Sequence, residues 1–295
     1  MKSVSDYSSR KISRLSLVLA VLVVFLHSRV AQDSFSSSFF YCLQEFVCQG
    51  IVRVAVPFFF IISGFLMYRD FVLERGWYFR KLKRRFRGLV VPYFIWSVMG
   101  LLFLLLLNST CSKTACVFDV GSLTWWLHAL GISHPPIGAY HLWFLRTLIV
   151  AVVLSPLIGL AVSRLGLLAL VLVFVMGEWF SVLRDHSFLY VMVGVYLALK
   201  EPAALNMKIN RNAIVGISLS LWIALNAIKV FVVGEISGGV MSAISLAANL
   251  SGIVFLWLVY DCPAVSGCLA RIDAVVKGSF FLYCCIAHIR FSCSR

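Results

Sequence analysis

Charge is what this sequence has least of. Only 13% of its 295 residues are charged, and just 12 are acidic. A soluble domain carries about a quarter charged residues, because its surface must be polar. With 61% hydrophobic residues and a mean hydropathy of +0.96, soluble globular architecture is excluded. The sequence also lacks an internal repeat, a low-complexity tract and a separate soluble domain, so residues 1–295 read as one membrane domain. The first apolar run, about Leu15 to Ala31, follows a basic segment as a signal peptide does. It is too long for a typical signal core and no clean small-x-small cleavage site follows, so it is expected to remain as a first span.

What the chain does have is a succession of apolar runs near the ~20 residues that cross a bilayer as a helix. Nine spans are expected, near residues 13–31, 50–68, 88–108, 140–162, 165–183, 187–200, 212–234, 238–260 and 274–292. The expected fold is therefore an all-α polytopic membrane bundle with its N-terminus in the cytoplasm. Alternating sides puts 18 of the 26 basic residues in cytoplasmic loops, while the outer loops hold only Arg29, Lys113 and Arg184. This is the positive-inside asymmetry. It also removes nucleic acid as the partner behind the formal net charge of +14, since the basic residues lie between apolar runs and not along a stripe of a soluble fold. The expected surroundings are the bilayer of the inner (plasma) membrane.

The longest outer segment, about Ser109 to Ala139, carries Trp125, Trp126, His128, His134 and the pair Pro135-Pro136. Adjacent tryptophans suit a segment lying at the lipid headgroups. Of the nine cysteines, Cys42/Cys48 and Cys111/Cys116 fall on the outer side, where disulfides form in an oxidising compartment. Small buried apolar residues are the preferred reading for most of them, and the recurring C-x5-C spacing is no zinc signature.

Titratable groups inside spans are expensive and so mark function by default. Here they are His27, Arg53, His141, Arg146, Glu178, Lys229 and His288. His27 lies roughly 20 Å of helix rise beyond Arg14. His141 opens an out-to-in span, His288 closes an in-to-out one, and Arg53 starts at the same level. Three histidines and an arginine are thus expected at one depth near the outer face. Histidine is the side chain best suited to proton transfer near neutral pH. For any one of them, a hydrogen bond between helices is the bland alternative. No H-x-x-x-H or carboxylate–histidine spacing supports a metal. The run Arg80-Lys81-Leu82-Lys83-Arg84-Arg85-Phe86-Arg87 reads either as a topological anchor touching anionic lipid or as a phosphate clamp, and both readings stand.

Five local patterns go further: Ile12-Ser13-Arg14-Leu15-Ser16 running to Phe25-Leu26-His27-Ser28; Val56-Pro57-Phe58-Phe59-Phe60-Ile61-Ile62-Ser63-Gly64-Phe65; Pro92-Tyr93-Phe94-Ile95-Trp96; His141-Leu142-Trp143-Phe144-Leu145; and Ser279-Phe280-Phe281-Leu282-Tyr283 followed by His288. In this order and spacing they resemble the acyltransferase-3 family of membrane O-acyltransferases. The resemblance implies transfer of an acyl group, commonly acetyl from acetyl-CoA, to a hydroxyl of a sugar or other cell-envelope molecule. It implies His27 as the catalytic histidine, His141 as the histidine of the HLWFL motif, and the basic residues after Ser63-Gly64-Phe65 as the essential arginines. Two departures accompany it. Ser16 stands where the family usually has Arg or Lys, with Arg14 the nearest base, and the chain stops at Arg295, seven residues past His288. A family member short at its C-terminus is expected.

On this reading acyl-CoA, most simply acetyl-CoA, is the donor, with its phosphates against Arg80, Arg84, Arg85 and Arg87. His27, with His141, carries the catalysis. Arg53, Arg146, Glu178, His288 and Trp143 hold a glycan or lipid-linked sugar acceptor, and no metal is involved. Two rivals are a secondary transporter or exporter of a lipid-linked glycan, which also needs buried His, Arg and Glu along a pathway, and a member that has lost its activity.

Overall fold

The computed structural model describes residues 6–27, 39–72, 74–110, 121–179, 186–201, 211–231 and 238–278. Among them the regular structure is helical throughout: α1 (Asp6–His27), α2 (Phe39–Glu45), α3 (Ala55–Tyr68), α4 (Arg75–Arg85), α5 (Val91–Thr110), α6 (Leu123–Ala129), α7 (Trp143–Val153), α8 (Ser155–Leu165), α9 (Leu167–Trp179), α10 (Ser187–Leu199), α11 (Arg211–Phe231), α12 (Gly238–Val259) and α13 (Pro263–Gly278). Two π-helical turns, Phe46–Ile51 before α3 and Phe86–Val90 before α5, join neighbouring helices. The chain divides into two compact units, Met1–Leu66 with Leu172–Arg295, and Met67–Val171.

Four helices among the described residues are long and apolar enough to cross a membrane: Phe39–Tyr68, Arg75–Leu106, Asn212–Phe231 and Gly239–Val259. A fifth is reached if Tyr140–Val153 and Ser155–Leu165, bent by 71° at Leu154, form one broken span. Apolar runs alone hide such breaks: Pro156 lies in the first turn of α8, where its missing N–H costs nothing, and Leu154, just before α8, leaves the helical region. The second and third expected spans lengthen at their N-terminal ends, because the π-turns carry the helix through Gly50 and Gly88. The sixth, α10, is a short apolar helix. The stretch between the eighth and ninth spans is the helix α13, and most of 274–292 lies outside the described residues.

In the first unit, glycines set the packing. A Cβ on Gly64 would lie 2.2 Å from the Val191 carbonyl oxygen, and one on Gly194 would lie 2.1 Å from that of Ile61. The backbones of α3 and α10 therefore touch, the close approach that small residues permit between membrane helices. Ser63-Gly64-Phe65 is fixed by this contact. Asn249 on α12 ties into the same group, donating through Nδ2 to Tyr190 Oη at 2.8 Å.

The N-terminal turns of α1 are pinned to the end of α12. Lys11 is only 2% exposed, and its ammonium meets Asp261 Oδ1 at 2.7 Å and covers the Trp257 ring at 4.1 Å. The Tyr7 hydroxyl donates to the same carboxylate oxygen. Cys42, Cys48, Cys262 and Cys268 form no disulfide; Cys48 is buried, as the small-apolar reading expects, whereas the other three are exposed.

In the second unit the chain after α3 folds onto α8. Tyr68 donates to the Ser155 carbonyl at 2.6 Å, Phe71 packs edge-on against Trp77 at 4.8 Å, and the Phe71 ring fills the space that a side chain on Gly159 would need. Lys81 reaches back to Asp70 at 2.6 Å.

Candidate functional site

His27 is the last residue of α1 and is exposed. The turn before it leans on the first π-turn, where the Cys48 thiol donates to the Phe25 carbonyl at 3.6 Å. A π-turn widens the helix and often marks a functional site. Here it brings Gly50 against α11, so close that a Cβ would lie 3.2 Å from Asn226 Cβ. Phe46 and Phe231 stack at 6.3 Å and close one end of the contact. Immediately after the π-turn, the 3-10 turn Val52–Val54 packs on α1 and carries Arg53. Arg53 repels Lys229, one turn beyond Asn226 on α11, across this contact.

Asn226 is the sharpest feature of the cluster. It is 1% exposed, and its Nδ2 donates to the Trp222 carbonyl at 2.8 Å. Its Oδ1 is buried with no hydrogen-bond partner among the described residues. Leaving a buried acceptor unsatisfied costs about 1–3 kcal/mol, so such an atom marks a place where a donor belongs. Sequence reasoning passed over Asn226, since a single amide in an apolar run carries no signal until its neighbours are known. The first unit thus gathers a histidine, two cations and an orphaned amide oxygen around one helix irregularity.

The second unit holds the remaining described candidates. Arg80, Lys81, Lys83, Arg84 and Arg85 lie on α4 and Arg87 on the second π-turn, with Arg80, Arg84 and Arg87 exposed. α4 packs its Trp77 face inward, and Tyr78 donates to the Val153 carbonyl at 3.3 Å. The Phe79 and Phe86 rings stay outside, 61% and 53% exposed.

Part of the segment expected at the lipid headgroups packs on α5. Tyr93 donates to the Gly131 carbonyl at 2.6 Å, and the backbone of Gly138 touches that of Gly100, the middle of α5. Gly131 has φ +77°, Pro136 is fully buried, and Gly138 has no side chain to hold the backbones apart. Irregular backbone beside a membrane helix is tolerated only where protein or a water-filled cavity covers it. His141 and Trp143 follow directly, on the turn Tyr140–Leu142 and the first residue of α7. Arg146 donates to the Ser133 carbonyl at 2.8 Å and acts electrostatically on the Tyr93 hydroxyl. His128 and His134 stand 4.9 Å apart beside it. From Arg87 to Tyr93 the helix rises only about 9 Å, so the end of the basic run and this polar group are about two turns apart along the helix.

Among the expected residues, then, His27, Arg53 and Lys229 share the first unit, and Arg80, Arg84, Arg85, Arg87, His141, Trp143 and Arg146 share the second. The side chain of Glu178, in the last turn of α9, and the whole of His288 lie outside the described residues.

A chain that is helical throughout its described residues, with several membrane-capable helices, is a membrane protein. It belongs to the acyltransferase-3 family: the family model, described as an acyltransferase domain, matches residues 17–285. Over 125 residues it is 29% identical to the Succinoglycan biosynthesis protein ExoH of Rhizobium meliloti (strain 1021). That alignment covers 41% of this chain and 33% of the relative, so the chain spans about a third of the relative's length in the match. No solved structure matches the chain.

Proposed function

We propose that the chain transfers an acyl group, acetyl in the simplest case, from acyl-CoA to a hydroxyl of a cell-envelope polysaccharide or its lipid-linked precursor. The family supports acyl transfer, and the relative named for succinoglycan biosynthesis supports a polysaccharide acceptor. The observation that carries the site is the cluster at the first π-turn, where Asn226 Oδ1 lacks a donor beside Arg53 and Lys229. A sugar hydroxyl is a donor of the right kind. His27 accepts the proton of the attacking hydroxyl as its oxygen adds to the thioester carbonyl. Arg53 and Lys229 stabilise the oxyanion that develops, an effect of pre-placed charge that is strong away from water. Collapse of the adduct breaks the carbon–sulfur bond, and the CoA thiolate takes the proton from His27.

The donor phosphates rest against Arg80, Arg84, Arg85 and Arg87, whose planar forks suit phosphate oxygens. His141, Trp143 and Arg146 hold the acyl or sugar portion, with Glu178 and His288 as further acceptor contacts. The chain crosses the inner membrane nine times with its N-terminus inside, as the placement of its basic residues favours.

The 71° break between α7 and α8 is of the type transporters use around a substrate, which keeps an exporter of lipid-linked glycan as the rival reading. The two separate in detergent, where no compartments exist. Purified protein with acetyl-CoA and an acceptor glycan should release CoA, and His27→Ala should lower that rate by about 10²–10⁴-fold at unchanged abundance. Equal rates for wild type and His27→Ala would remove His27 from the chemistry, and no CoA release with any acceptor would favour the exporter.

A further inference from the structure

The N-terminal turns of α1 and the start of α13 enclose a cavity of about 360 Å³ in the first unit, lined by Tyr7, Arg10, Arg14, Tyr260, Pro263 and Ser266. It takes no part in the chemistry above. Two arginines, two tyrosines and a serine thus line one small space. Arg14 spends Nη1 on the Tyr260 hydroxyl at 3.1 Å, while its Nε is buried with no hydrogen-bond partner among the described residues. The Asp273 carboxylate, 3.8 Å from that Nε, is too distant for a hydrogen bond. The first turn of α13 forms another wall, so the positive end of its dipole lies at the same space.

We propose that this cavity binds the phosphodiester headgroup of an anionic phospholipid. Position supports the lipid as the source. The membrane-capable helix α12 ends at Val259, and Tyr260 and Pro263 follow at once, so the cavity sits where hydrocarbon gives way to headgroups. α13, which leaves Ile272 exposed, continues from that level as a helix lying along the interface would. Charge supports it as well. Lys11 is matched by Asp261 and Arg14 by Asp273, so the two arginines and Asp273 leave room for about one negative charge. A phosphodiester carries one. The diphosphate and additional phosphate of CoA carry several. Basic pockets between membrane helices are known to take anionic headgroups in this way.

The test uses the full chain, purified and stripped of lipid in detergent, with phosphatidylglycerol and phosphatidylcholine titrated in turn and followed by native mass spectrometry. Phosphatidylglycerol should bind at least about tenfold more tightly than phosphatidylcholine. Arg10→Gln should remove about tenfold of that affinity, the scale of one hydrogen bond to a charged group. Arg10 is exposed, so the variant should keep its fold, and its thermal midpoint without lipid reports on that directly. Arg10→Lys should fall between wild type and Arg10→Gln. Equal binding of the two lipids, or equal binding of phosphatidylglycerol by wild type and Arg10→Gln, overturns the proposal. Separate arms with CoA and inorganic phosphate distinguish the source. Neither should displace phosphatidylglycerol at millimolar concentration, and displacement by either would assign the cavity to a soluble phosphate and overturn the lipid assignment. Because the readout is binding, the proposal fails or survives independently of the acyl-transfer reading.

Discussion

At its N-terminal end α1 buries Lys11 to 2% exposure and meets it with Asp261 at 2.7 Å, whereas at its C-terminal end it stops at an exposed His27, beside a π-turn across which Arg53 repels Lys229. Both ends bring ionisable groups to a helix that the sequence leads one to expect as a membrane span, where each would be expensive. At the first end the cost is offset within the protein by an ion pair, a tyrosine hydroxyl and an indole face. At the second, two like charges and an orphaned amide oxygen sit together. The difference separates a structural use of charge from a functional one. A compensated cation holds helices in place, while like charges beside an unsatisfied amide oxygen are suited to holding a substrate.

The comparison is most easily broken at Asp261. Asp261→Asn leaves the Lys11 ammonium buried without its counter-charge, and should destabilise the protein by about 3–5 kcal/mol. Restoring compatibility with Lys11→Met should recover most of that loss. Thermal midpoints in detergent across the single and double variants check it, and a stable Asp261→Asn protein would mean that water already reaches Lys11.

At the other end the signs reverse. Lys229→Met removes a repulsion, so the thermal midpoint should hold or rise while acyl transfer falls by about tenfold or more, the scale of one lost transition-state contact. Loss of both stability and activity would make Lys229 a packing residue like Lys11.

The smallest effect concerns the basic run. Arg84→Lys with Arg85→Lys keeps the charge that governs insertion but removes the planar forks. The Michaelis constant for acyl-CoA should rise several-fold while a topology reporter fused after Lys83 stays unchanged. An unaltered constant would return Arg84 and Arg85 to the role of anchor.

Much of this was legible in the order of residues. Apolar runs revealed helices because a backbone in lipid must satisfy its own hydrogen bonds, and His27, Arg53 and Lys229 stood out because charge in such runs is costly. The exact breaks were not legible. Two π-turns and the bend at Leu154 sit inside continuous apolar stretches whose hydropathy barely changes there. Lys11 and Arg14 read as charges facing the cytoplasm, because their partners Asp261, Tyr260 and Asp273 lie about 250 residues away in sequence.

The sequence by itself determined that this chain is helical, membrane-borne and a member of an acyltransferase family, since composition, hydropathy and short motifs are local properties. Only the tertiary structure decided which polar groups are compensated. It alone paired Lys11 with Asp261, set Gly64 against α10, drew the 131–138 backbone along α5 and left Asn226 Oδ1 without a donor. The physical reason is that the cost of a buried polar group depends on what lies within about 3 Å of it, and that neighbour is set by the packing of helices distant in the chain.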